Sequence, residues 1–158
     1  MNKKFIAIIA GLSILIIITI VLFIMSNNKD GITTCYTLSG TESQIWKFDV
    51  KNDDVDKLEI TINKSSLKYG YETLENLSLY QKKEIEEKVL NDLNIDSLNY
   101  NGITIEINYK EYLEVIINID YSLADTYVLN KMKLNYNNEI KFSEYIKVLQ
   151  EDNLYVCK

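Results

Sequence analysis

Residues 5–25 run for 21 positions without a charge, interrupted only by Gly11, Ser13 and Thr19. At a rise of about 1.5 Å per residue a helix of that length spans a hydrocarbon core of about 30 Å. A cleaved signal peptide has an apolar region of about 7 to 15 residues ending in a small-residue site, and neither feature is present. A lipoprotein signal needs Cys directly after its apolar run, whereas Cys35 stands ten positions beyond Met25. A pilin-type signal would place Glu just inside the helix, and this run has none. Lys3 and Lys4 precede the run, so the positive-inside tendency puts residues 1–4 in the cytoplasm and the rest outside, although Lys29 weakens the asymmetry. The expected organisation is a cytoplasmic start (1–4), a transmembrane signal anchor (5–25), a polar linker (26–31) and an extracytoplasmic domain (32–158) of a single-pass protein of the cell membrane.

The 133 residues after the run suffice for one domain with its own core and are too few for two. They exclude several kinds of chemistry. All 17 basic residues are Lys, and His and Pro are absent. Without His, the Ser-His-Asp and Cys-His triads and the usual zinc sites cannot be built from this chain alone. A Ser/Lys dyad needs no His, but no local pattern singles out a Ser, so a hydrolase is a remote alternative. With Lys3 and Lys4 set aside, 15 Lys face 23 acids, which makes the domain acidic. Phosphate neutralisation dominates nucleic-acid affinity, so nucleic acid is not an expected partner.

Apolar residues then alternate. Trp46, Phe48 and Val50 are two apart, as are Leu58, Ile60 and Ile62, with turn residues Lys51-Asn52-Asp53-Asp54 between them. A further strand at 34–38, turning through Ser39, Gly40 and Thr41, makes three consecutive antiparallel strands. Between 71 and 93 the period lengthens, with Leu74, Leu77, Ile85, Val89 and Leu93 spaced for an amphipathic helix. Alternation returns at Ile103, Ile105 and Ile107 and at Leu113, Val115, Ile117 and Ile119, after an Asn101-Gly102 turn. Ser122 with Asp125 signals a short helix to about residue 132, and Ser143 opens another. Residues 154–157 are expected to close the domain as a strand. The order βββ-α-ββ-α-α-β predicts an α+β domain, with an antiparallel sheet and helices packed on one face, preceded by the transmembrane helix.

Asn52, Asp54 and Asp56 share the spacing of the first ligands of an EF-hand loop, but Lys57 and Asn63 stand where that loop needs Gly and Glu. A solvated hairpin turn is the better reading, and no metal or cofactor is expected. Twelve Tyr and Trp46 could stack on sugars or peptides, yet aromatic residues are also ordinary strand formers, so core and sheet surface account for most. Cys35 and Cys157 bracket the domain without zinc-ligand spacing, and outside the cytoplasm a disulfide is their natural pairing. Two unpaired thiols, one buried, are the alternative.

Four segments together carry a resemblance: Thr34-Cys35-Tyr36-Thr37, residues 57–62, Ile117-Asn118-Ile119-Asp120-Tyr121-Ser122-Leu123-Ala124-Asp125, and the ending Leu154-Tyr155-Val156-Cys157-Lys158. The chain resembles the YehR-like family of small uncharacterised bacterial lipoproteins over most of 33–158. The resemblance implies a secreted or surface-anchored α+β domain with no assigned reaction and no catalytic residues to carry over. Here a transmembrane helix stands in place of the lipid attachment site. The function expected is a non-enzymatic, membrane-anchored domain that binds or scaffolds a protein or glycan at the bacterial cell surface. An accessory subunit of a transporter or secretion system is the alternative.

Overall fold

Each alternating segment becomes a strand of one sheet. The computed structural model describes residues 30–39, 42–134, 141–151 and 155–158. Its strands are β1 (Gly31–Ser39), β2 (Glu42–Lys51), β3 (Asp54–Lys64), β4 (Asn99–Tyr100), β5 (Ile103–Tyr109), β6 (Leu113–Asp120) and β7 (Val156–Cys157). Every neighbouring pair is antiparallel, in the order β4-β5-β6-β3-β2-β1-β7. The expected anchor, 5–25, lies outside the described residues, as do Gly40 and Thr41 of the first turn and Leu154 of the closing strand. Among the described residues no helix is long and apolar enough to cross a membrane.

The register gathers most of the apolar strand positions on one side. Cys35, Trp46, Ile60, Ile117 and Ile105 form one continuous row across five strands, and Phe48, Leu58, Ile119 and Ile103 form the next. All nine are buried. The helices α1 (Leu79–Asp92), α2 (Thr126–Lys131) and α3 (Phe142–Glu151) supply the second layer. Phe142 and Tyr145 of α3 meet Phe48 at ring-centroid distances of 5.4 and 5.5 Å, while Ile85 and Val89 of α1 and Val128 and Leu129 of α2 are buried in the same core. Tyr145 reaches on to Tyr121, their hydroxyls 2.7 Å apart, and donates to the Leu134 carbonyl.

Three expectations need correction. The element order is βββ-α-βββ-α-α-β, because the two-residue β4 folds back on β5 ahead of the Asn101-Gly102 turn. The helix expected over 71–93 occupies only Leu79–Asp92, after a 3-10 turn at Ser66–Tyr69. Asn76 is left-handed at φ 64°, which ends any helix there, and Leu74 reaches the core from irregular chain. The helix starts at a capping box, in which Ser78 accepts from the Gln81 amide and Gln81 accepts from the Ser78 amide. Finally, Asp125, rather than Ser122, caps α2, and Ser122 bonds Asp120 instead.

α3 is capped from a distance. Asn52 and Asp53 are both left-handed (φ 52° and 66°) in the tight β2–β3 turn. That turn aims the Asp53 carboxylate at the start of α3, where it accepts from the Ser143 amide (2.9 Å) and hydroxyl (2.7 Å). Lys141 pairs with Asp54 at 2.6 Å beside it.

Candidate functional site: the open face of the sheet

Because the helices take one face, the wet positions of the strands make up the other. Their side chains fall into rows. Asp120, Lys57, Asp49 and Ile32 lie across β6, β3, β2 and β1; Thr104, Asn118, Glu59, Lys47 and Thr34 form the adjacent row from β5 to β1. Apart from Thr34, these two rows line a groove of about 470 Å³ that Gly102 also lines. Within it Lys47 pairs with Glu59 at 2.6 Å and Lys57 approaches Asp120 at 3.9 Å. Ile32 is 74% exposed at the groove's β1 edge.

Beyond Glu106 on β5, the next row is mainly apolar. Ile116, Thr61, Ile45, Tyr36 and Val156 cross β6, β3, β2, β1 and β7. The Lys158 ammonium stands 5.8 Å from the Tyr36 ring. The face is therefore a charged groove beside an apolar stripe, with a second polar row (Asn108, Glu114, Asn63, Ser43) beyond.

Two carboxyls on this face are held below the ordinary range. Asp120 is lowered first by the hydrogen bond from the Ser122 hydroxyl, then by the Ser122 amide and Lys57. Glu114 is lowered first by the Lys110 ammonium at 2.7 Å and then by the Asn108 amide.

Cys35 and Cys157 are disulfide-bonded, joining β1 to β7. The residues of the EF-hand-like spacing are engaged within the fold: Asn52 donates its backbone amide to Asp30, Asp54 pairs with Lys141, and the Asp56 carbonyl accepts from the Tyr121 amide. Among the described residues no group of three or more metal-ligating side chains gathers. Trp46 is buried, edge-on to Tyr155 at 5.9 Å, and donates its indole N–H to Gln44. Tyr36, Tyr80, Tyr112 and Tyr127 stay exposed on separate elements and form no common platform.

A comparison with protein-family models finds no match. A comparison with curated proteins also finds none. Among solved structures the chain is similar to the NMR structure of the E. coli YehR protein, with a TM-score of 0.61 and 16% identity over 81% of this chain and 91% of that one. It is also similar to the NMR structure of a protein from Streptococcus pneumoniae TIGR4, with a TM-score of 0.53 and 16% identity over 82% and 87%. At such identity the likeness is one of fold, and the chain has a YehR-like fold.

Proposed function

We propose that the chain is a non-enzymatic, membrane-anchored extracytoplasmic domain that binds a cell-surface protein or glycan through the open face of its sheet. The supporting observation is the groove of about 470 Å³ across five strands, with the exposed Ile32 at its β1 edge and a mainly apolar stripe beside it. A groove of that size falls in the range of ordinary ligand sites. Its ionic groups hold one another, Lys47 on Glu59 and Lys57 near Asp120, an arrangement suited to recognising a polar ligand. The linker 26–31 would reach at most about 20 Å, so a bilayer holding 5–25 would lie close to the Ile32 end of the groove.

The test is a titration of isotopically labelled protein with peptidoglycan fragments and with peptides from surface-exposed proteins. Amide shifts concentrated at Lys47, Glu59, Thr104 and Asn118 would support the reading. Shifts confined to α1 or α3 would remove the groove from it.

A further inference from the structure

β5 is an open edge over half its length. Alternate residues of an antiparallel strand direct their backbone groups to opposite neighbours. The Gly102 carbonyl accepts from the Asp120 amide on the β6 side, and the Ile105 amide donates to the Leu98 carbonyl (2.8 Å) on the β4 side. Even-numbered residues of β5 therefore face β6, while Ile103, Ile105, Ile107 and Tyr109 face outward. Tyr100 and Leu98 serve the first two. Ile107 and Tyr109 point their amides and carbonyls past the end of β4, and no strand pairs with them among the described residues.

Exposed edges are commonly protected against self-pairing by charged side chains, Pro or a bulge, but opposite charges that face each other across a two-fold axis attract. This edge reads Glu106-Ile107-Asn108-Tyr109-Lys110, with opposite charges two positions either side of Asn108. The pattern is complementary to itself when reversed. We propose that two copies of the chain pair along this edge, antiparallel about a two-fold axis at Asn108. Ile107 of one copy then exchanges both backbone hydrogen bonds with Tyr109 of the other, four bonds in all, and Glu106 stands opposite Lys110. Lys110 already holds Glu114 at 2.7 Å on the open face and has further donors for a second carboxylate. On the helix side Tyr109 donates its hydroxyl to the Lys82 carbonyl at 3.0 Å, which places the first turn of α1 beside the edge. Leu79 and Tyr80 in that turn are 88% and 79% exposed and would be covered by the second copy.

The register has no close rival. Shifted by two residues one way, the pairing runs into Leu98 on Ile105. Shifted the other way, it runs into the turn where the Lys110 amide donates to the Tyr112 carbonyl. Such an axis runs perpendicular to the sheet and puts the two Asp30 residues at opposite ends of the joined sheet. If residues 5–25 of both copies span one bilayer, the joined sheet lies along its surface.

The test uses the full chain in detergent micelles. Opposed residues on the axis form a non-hydrogen-bonded pair about 4.5 Å apart, within disulfide reach. Mild oxidation should therefore convert the Asn108→Cys chain to a covalent dimer and leave Thr104→Cys, on the same strand and face but beside β4, monomeric. In sedimentation Glu106→Lys and Lys110→Glu should each weaken the dimer severalfold, and the two together should restore it. A monomer at all concentrations, equal cross-linking at 104 and 108, or a double swap that fails to restore would each overturn the proposal.

Discussion

Cys35 on β1 and Cys157 on β7 stand directly opposite one another, their Cα atoms 3.9 Å apart, beside the pair Thr34 and Lys158 that exchange both backbone hydrogen bonds at 3.0 and 2.9 Å. Tyr155, against Trp46 and donating to Gln44 at 2.7 Å, is a further tie at this end of the chain. The bond links positions 122 apart in sequence, for which the chain-entropy model gives near 5 kcal/mol and measured disulfides usually less. Replacing both by Ala should cost about 3 kcal/mol. At roughly 2–4 °C per kcal/mol for a domain of this size, that is about 10 °C of melting temperature. An unchanged melting curve with and without reductant would contradict it.

Two glycines should behave differently. Gly102 is left-handed at φ 69°, and a Cβ there would lie 2.4 Å from the Ala124 backbone nitrogen, so Gly102→Ala forces the β6–α2 connection to move. Gly70, at φ 87°, has nothing within 4 Å of the same atom. Gly70→Ala should cost about 1 kcal/mol from backbone conformation alone, and Gly102→Ala about 2–3 kcal/mol, in the range of overpacked sites. Chemical denaturation of both variants measures the difference, and equal losses would count against the close approach.

Removing the remote cap should loosen α3. Asp53→Ala deletes both bonds to Ser143 and should cost about 1–2 kcal/mol, the range for a lost helix cap. Asp56→Ala, an exposed acid three positions on, should stay within about 0.5 kcal/mol. Hydrogen exchange in α3 is the sharper readout, since only the first variant should speed it.

Acid should destabilise the fold through carboxyls such as Asp120 and Glu114. Their folded-state values lie below the unfolded ones, so their contribution is present above the ordinary carboxylate range, near pH 4, and is lost as pH falls through the lowered values. Glu114→Gln should flatten that acid limb. With no His in the chain, the melting temperature should change little from pH 5 to 8. Tyr69, raised to about 12 mainly by burial and then by Asp92, adds a loss at the alkaline end that begins above pH 10. Melting curves across pH 2 to 11 test each limb.

The sheet was legible because its strands bury one face: Trp46, Phe48 and Val50 alternate with Lys47 and Asp49, and period two admits one reading. β4 was not, since two residues carry no period, although its Asn101-Gly102 turn was visible. The overlong helix arose because Leu74 and Leu77 match helical spacing by coincidence; the Ser78-x-x-Gln81 capping box marked the true start. Asp53 looked like turn chemistry, and its second role depends on a helix 90 residues away. The groove was hidden for a related reason. Lys47, Glu59, Asn118 and Thr104 read as solvent-facing residues of four separate strands, and only the register aligns them in one row.

The proposal that the domain faces outward and carries a recognition surface on its open sheet face is tested most directly by labelling in intact cells with a membrane-impermeant maleimide. Two full-length chains are compared, Thr104→Cys in the groove and Glu144→Cys on the exposed side of α3. Both should label equally when purified. In cells Glu144→Cys should label and Thr104→Cys should be protected by the bound partner. Equal labelling of both in cells would contradict occupancy of the open face, and labelling of neither until the membrane is broken would contradict the outward orientation.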